Sequence, residues 1–252
     1  MDELSAFHAA LLLIGGAVAG IVNTLAGGGS LLTVPLLVLC GVPGVMANGT
    51  NRIGILVQCI SAVLRFRKGG IFEPREMMTI AVPVMIGSLI GAYGITAVPD
   101  GTFERLFGLA MLVLLVPALR QATRKVAQDP AADAAWPPWL SNSVFFGIGL
   151  YAGALQAGVG VPFLFALLHS GKDPVRANAI KIGVTALSAL VAVPIFIFHG
   201  DVAWLPAVVL AAGFLVGGSL GATAAIRGGD RLIRPILAVA VLGLAGRMLG
   251  LY

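Results

Sequence analysis

Charge is scarce in this chain of 252 residues: only 11% are Asp, Glu, Lys or Arg, where an ordinary soluble domain carries roughly 25%. With 58% hydrophobic residues, no water-soluble fold could hide the apolar surface. Carboxylates are missing where they would matter most. All 11 Asp and Glu residues fall in tails, loops or the ends of apolar runs, so the mid-membrane carboxylate that cation carriers and proton relays use is absent. Cysteine is limited to Cys40 and Cys59, each in an apolar stretch with no companion Cys and no His at a ligand spacing. Neither a disulfide framework nor a zinc site is indicated. His8, His169 and His199 are scattered at the ends of apolar runs and no GxSxG elbow occurs, which removes the usual metal trio and hydrolase relay. No cofactor, metal site or catalytic residue is therefore expected. The chain begins Met1-Asp2-Glu3 with no Lys or Arg before its first apolar run, so no removable signal peptide is expected either.

What the chain does contain is a series of apolar blocks, most of about 17 to 25 residues, the length a helix needs to cross a hydrocarbon core roughly 30 Å thick. Barrel strands would alternate over about ten residues, and Ile80 to Ala97 or Leu205 to Ala225 do not alternate. The spacing predicts spans at Phe7–Ala26, Met46–Leu64, Met77–Val98 and Phe103–Leu119, with a short apolar piece at Leu31–Leu39. The second half predicts Leu140–Ala157, a short Val161–Leu168, then Pro174–Phe198, Trp204–Ala225 and Arg231–Gly250. Landmarks recur at a period of about 130 residues. Gly20 answers to Gly153, Arg52 to Lys181, and Gly-Ser-Leu at 87–89 to Gly-Ser-Leu at 218–220.

The net charge of +5 comes from short basic clusters flanking the spans and does not point to nucleic acid. Twelve of the 16 basic residues lie in the segments 65–76, 120–138, 169–176 and 226–235. The intervening connections contribute only Arg105. Positive-inside bias puts the basic set in the cytoplasm, and the N-terminus outside. The linker and the 169–176 loop are then on one side, although about 30 apolar residues separate them, so that region must enter and return. The same holds for residues 7–41. The expected fold is an all-α polytopic membrane protein made of two inverted repeats. Each repeat is a broken or re-entrant helix pair followed by three transmembrane helices, with boundaries at 1–119 and 139–252 around a cytoplasmic linker at 120–138. That is the architecture of many secondary transporters, whose substrates bind near the midplane.

Each broken element carries glycine: Ala26-Gly27-Gly28-Gly29-Ser30 in the first half and Ala157-Gly158-Val159-Gly160-Val161-Pro162 in the second. Glycine lets backbone approach a ligand closely, and the half-helix that follows offers N–H groups and a positive dipole end; the competing role is close helix packing. An ionised side chain deep in a span costs at least about 2.5 kcal/mol, which singles out Arg52 and Lys181 at equivalent places in the two halves. Asn48 and Arg52 share a helix face, as do Asn178, Lys181, Thr185 and Ser188. Snorkelling toward headgroups is the alternative for both cations, and for Arg247 the preferred one. Asn23 and Gln156 stand just before the breaks, placed to hydrogen-bond ligand oxygens or to satisfy interrupted backbone. Net positive interior charge without carboxylates favours a small anion as cargo, and an inside-negative potential favours its export by about 2.3 kcal/mol per charge per 100 mV. An anion channel and a non-transporting assembly or signalling protein are the alternatives. The partners expected are the anionic substrate and the lipid bilayer; a homo-oligomer is left open.

These residues carry a family resemblance. Ala-Gly-Gly-Gly-Ser at 26–30 with Gly-Thr-Asn-Arg at 49–52, then Gln-Ala-Gly-Val-Gly at 156–160 with Ala-Asn-Ala-Ile-Lys at 177–181, resemble the TauE/SafE sulfite exporter family over nearly the whole chain. The resemblance implies transport of a sulfur-containing anion such as sulfite, thiosulfate or an organosulfonate in a bacterial inner membrane. It carries the family's glycine breaks onto Gly27, Gly28, Gly29, Gly158 and Gly160, and its polar helix starts onto Thr50, Asn51, Arg52, Asn178 and Lys181. The substrate-binding set expected is these residues with Asn23, Ser30, Asn48, Gln156 and Thr185. Two departures stand out. Arg52 replaces a frequent Lys, presenting a bidentate fork to oxyanions, and the second break has two glycines where the pattern often has more.

Overall fold

The computed structural model describes residues 4–72, 74–121, 136–170 and 173–227. The expected span Arg231–Gly250, the residue Arg247 and most of the expected linker lie outside them. Among the described residues there are only helices: α1 Ala6–Ala26, α2 Ser30–Leu39, α3 Gly44–Lys68, α4 Pro74–Thr96, α5 Asp100–Gln121, α6 Pro138–Ala154, α7 Gly160–His169, α8 Pro174–Phe198 and α9 Trp204–Ile226. The all-α fold is as expected. Nine of the ten predicted segments have a helix within a few residues of their limits.

Local chemistry explains the ends. Ser5 caps α1, its hydroxyl accepting from the His8 N–H, and Asp173 caps α8 by accepting from the N–H groups of Val175 and Arg176 at 3.1 Å each; a side-chain oxygen at this position satisfies first-turn donors that lack intrahelical partners. Proline opens α4, α6 and α8, where its missing N–H costs nothing. α1 stops at Gly27, whose φ of +79° is the left-handed region that favours glycine. α2 and α7 have 10 residues each, roughly 15 Å of helix and half a hydrocarbon core. α1, α4, α8 and α9 are long and apolar enough to cross a membrane. α3 is longer than α4, with 25 residues against 23, but carries Asn48, Asn51, Arg52 and Gln58 within it.

α3 and α8 form the centre, packed on each other, with α9 against α3 and α4 against α8. α1 lies along α9 and α6 along α4, while the short α2 and α7 sit on α3 and α8 respectively. Both outer pairings rest on small residues. Gly213 and Gly217 face Leu13 to Gly20 of α1, and Gly87 and Gly91 face Phe146 to Ala154 of α6, so close that an added Cβ would collide with backbone atoms. Close backbone approach replaces the hydrophobic driving force that lipid does not supply between helices. Ser88 Oγ and Ser188 Oγ, 2.8 Å apart, tie α4 to α8, and Ser61 donates to the Leu215 carbonyl at 2.9 Å between α3 and α9. Bulky apolar side chains such as Ile14, Val82, Ile86, Tyr93, Leu205 and Val208 point outward, an apolar exterior suited to lipid.

Gly91 and Gly94 lie on one helix in opposite circumstances. A Cβ at Gly91 would strike Leu150 and Ala154, whereas nothing lies within 4 Å of one at Gly94. Gly91→Ala is expected to cost about 1–3 kcal/mol through overpacking, and Gly94→Ala to be neutral or stabilising by up to about 1 kcal/mol. Thermal unfolding midpoints of the two variants in one detergent check the ordering.

Candidate functional site

The two helix breaks meet. The Gly160 N–H donates to the Gly27 carbonyl at 3.3 Å, and a Cβ on either glycine would run into the backbone of the other. Around this crossing lie most of the buried polar side chains of α1, α2, α3 and α8, in two clusters.

The first cluster surrounds the second break. Arg52, fully buried on α3, donates from Nη1 to the Ala152 carbonyl at 3.0 Å and from Nη2 to the carbonyls of Gly153 and Ala154. Those are the last residues of α6, where unpaired carbonyls and the negative end of the helix dipole collect. The guanidinium also lies over the Phe196 ring, 4.7 Å from its centroid. One turn earlier, Asn48 Nδ2 donates to the Ala154 carbonyl at 2.8 Å. From α2, Ser30 Oγ donates to the Gln156 carbonyl at 2.7 Å and accepts the Gly158 N–H at 3.4 Å, and Thr33 Oγ1 donates to Asn51 Oδ1. Gln156 itself is 1% exposed and has φ +57°, a conformation that costs a non-glycine residue of order 1 kcal/mol or more.

The second cluster surrounds the first break. Lys181 Nζ, on α8, donates to the carbonyls of Asn23 and Thr24 at 3.4 and 3.3 Å, in the last turn of α1. Asn23 Nδ2 donates to Gln58 Oε1 at 2.6 Å, and Gln58 Nε2 donates to Thr24 Oγ1 at 2.7 Å. Asn23 Oδ1 also accepts the Gly29 N–H at 3.4 Å. The buried Cys59 lies next to Gln58 and close enough to Lys181 to feel its charge. Arg52 and Lys181 therefore play matching parts. Each sits on the central helix of one half and, among the described residues, hydrogen-bonds only to backbone carbonyls at the end of the other half's first helix.

The remaining candidate residues lie apart from this chemistry or contribute less directly. Thr50 Oγ1 accepts the Ala203 N–H at 2.9 Å, anchoring the connection into α9. Thr185 Oγ1 donates to the Lys181 carbonyl of its own helix at 2.8 Å. The Gly28 carbonyl accepts the Leu31 N–H in the first turn of α2. Asn178 is buried, with its Oδ1 unpartnered. The glycine N–H groups expected to face a ligand are partly in use, since those of Gly29, Gly158 and Gly160 already turn toward protein oxygens. Thr24, Thr33 and Gln58 were not picked out in the sequence. Gln58 had a readable signal, an amide inside the apolar run from Ile53 to Ile60; the two threonines had none.

Beyond the crossing, a cavity of about 180 Å³ lies between α4, α6, α7 and α8, with Glu76, Thr79, Trp136, Ser141 and Ser170 among its lining residues. Its wall includes Ile180, the neighbour of Lys181. At the other end of α8, burial raises the Asp201 carboxyl above its ordinary range, His199 opposing and Asp100 adding to the shift.

Gln58→Leu would leave Asn23 Nδ2 and Thr24 Oγ1 without their side-chain partners. The expected cost is about 1–3 kcal/mol of stability, read as a lower unfolding midpoint, with Ser61→Ala at the margin of the same helix as a mild control.

A family model described as "Sulfite exporter TauE/SafE" matches residues 12–248. A probable membrane transporter protein of Sinorhizobium sp., ORF9, is 26% identical over 251 residues, covering 99% of this chain and 95% of the relative. A probable membrane transporter protein of Haemophilus influenzae is 28% identical, covering 91% and 90%. The probable membrane transporter protein YfcA of Escherichia coli K12 is 24% identical, covering 92% and 86%. No solved structure matches.

Proposed function

Because this chain belongs to the TauE/SafE sulfite exporter family and is a multi-pass membrane transporter, we propose that its cargo is a small sulfur-containing oxyanion, sulfite, thiosulfate or an organosulfonate, and that it exports it. The observation that carries this reading is the pair of buried cations, Arg52 and Lys181, facing the crossing of two broken helices and hydrogen-bonded to carbonyl oxygens alone. Carbonyl dipoles at a helix end offset only part of a buried positive charge. An anion entering between the two clusters would supply the rest.

Two inverted halves of the expected boundaries account for the helix pairings. α1 on α9 corresponds to α6 on α4, α3 on α9 to α8 on α4, and α3 meets α8 across the axis of exchange. Direct backbone contact between Gly27 and Gly160 supports alternating access over an open channel, since the two breaks close on each other at the crossing. Rocking the halves would part them. The cavity beside Ile180 then serves as the inward vestibule, with basic loops on the cytoplasmic side, the N-terminus outside and the bacterial inner membrane as the location. Export follows from an inside-negative potential, which drives an anion outward by about 2.3 kcal/mol per charge per 100 mV.

The test is charge movement by proteoliposomes on a solid support after jumps in sulfite, thiosulfate, sulfate or chloride, with a sodium control. Saturable current for a sulfur anion is expected, lost in a Lys181→Ala variant that keeps its size-exclusion profile. Normal current in that folded variant contradicts the assignment of Lys181, and current that fails to saturate points to a channel.

A further inference from the structure

The two clusters around the crossing differ in one respect. Beside the first break the amide of Asn23 is satisfied by Gln58. Gln156, the residue just before the second break, has no such partner among the described residues: at the offset that relates Arg52 to Lys181 the counterpart of Gln58 is Leu187, which has nothing to offer an amide, and the adjoining Ser188 is paired with Ser88. Both Gln156 Oε1 and Nε2 are buried and unpartnered. The same is true of Asn48 Oδ1, Asn51 Nδ2 and Arg52 Nε. All four side chains are at most 1% exposed. They also belong together. Asn48 and Arg52 share the Ala154 carbonyl, Ser30 holds the Gln156 carbonyl, and Thr33, one turn along from Ser30, holds Asn51.

Buried polar atoms almost always find partners, and each left without one costs about 1–3 kcal/mol. An unpartnered amide on a left-handed backbone marks a position kept for something other than stability. The unpartnered atoms are mixed in kind. Arg52 Nε and Asn51 Nδ2 are donors that suit an oxyanion. Asn48 Oδ1 is an acceptor whose orientation is fixed, because its own Nδ2 is committed to Ala154. Gln156 offers one acceptor and one donor group whichever way its amide is turned. An anion presenting lone pairs alone would satisfy the donors and set its oxygens against the two acceptors.

Resting on the transport reading above, we propose that the Arg52 side of the crossing is the primary anion subsite and selects oxyanions that also carry a hydrogen-bond donor: a singly protonated inorganic oxyanion such as hydrogen sulfite, or a sulfonate with a hydroxyl group. The anion's oxygens take the Arg52 and Asn51 N–H groups, and its O–H donates to Gln156 Oε1. Sites built to hydrogen-bond a substrate hydroxyl reject the analogue lacking it far more strongly than apolar pockets discriminate by size. Lys181, which holds the carbonyls of Asn23 and Thr24, acts on this subsite through charge and through the position of the α1 end.

Two probe pairs isolate the donor at nearly constant charge and size. These are 2-hydroxyethanesulfonate against ethanesulfonate, and hydrogen sulfite at mildly acidic pH against pyramidal, proton-free chlorate. Half-saturating concentrations are read from the full chain in proteoliposomes. The donor-bearing member of at least one pair is expected to saturate at a concentration at least about tenfold lower, and the pair that discriminates identifies the cargo as organic or inorganic. Gln156→Met, which removes no hydrogen bond made by the side chain, is expected to bring that ratio close to one by raising the half-saturating concentration of the donor-bearing anion. Equal half-saturation within both pairs in the wild type overturns the inference and leaves anion transport standing, as does a ratio that survives Gln156→Met. Current from none of the four anions overturns both readings.

Discussion

Two positive charges buried without a carboxylate beside them are the constraint on which this structure turns. Moving a lone ammonium or guanidinium out of water costs several kcal/mol even after relaxation. Arg52 and Lys181 meet that cost with the one source of negative potential a broken membrane helix creates, the carbonyls of its last turn. The break that makes those carbonyls available is made in turn by glycine at the crossing. Each half's cation meets the carbonyls at the end of the other half's first helix. Cations, breaks and inter-half contact form a single device.

Its geometry links structure to movement. Outer helices pair through glycine and serine with backbones nearly touching, a packing that resists shear yet involves few interlocking side chains. At the centre the halves touch by one backbone hydrogen bond, by hydrogen bonds from Ser30 and Asn48, and by the contacts of Arg52 and Lys181 with backbone carbonyls. Such contacts can be exchanged for an anion's oxygens with little change in the number of hydrogen bonds. If the halves part as proposed, ligand entry and their separation would draw on the same interactions, which is the differential affinity any ligand needs to shift a conformational equilibrium.

Much of this was legible in the sequence. Apolar blocks, prolines and glycines located nine helices to within a few residues, and the intramembrane cations and amides named most members of the two clusters before any geometry was known. Partners were less legible. Nothing in the composition of α6 says that its terminal carbonyls will be met by Arg52 from α3, since every residue offers the same carbonyl. Thr50 and Thr185 stand at ligand-like positions, and the structure shows their hydroxyls engaged with backbone, Thr50 accepting the distant Ala203 N–H and Thr185 donating to the Lys181 carbonyl of its own helix. Gln58 is the reverse, a polar residue passed over because no motif contained it, although a buried amide in an apolar run always needs a partner. The cluster of unpartnered atoms around Gln156 is invisible without coordinates, because satisfaction is a property of pairs.

The central claim is that the crossing binds an anion by completing the coordination of two buried cations. Thermal unfolding of the purified protein in detergent across a concentration series of sulfite, thiosulfate, 2-hydroxyethanesulfonate and chloride, at constant ionic strength and with sodium and choline counter-ions compared, tests it most directly. The account predicts saturable stabilisation by a sulfur oxyanion, about 2.7 kcal/mol at a hundred times its dissociation constant, independent of the counter-ion and lost in Lys181→Ala. Stabilisation that follows the cation instead, or none from any oxyanion, would contradict it.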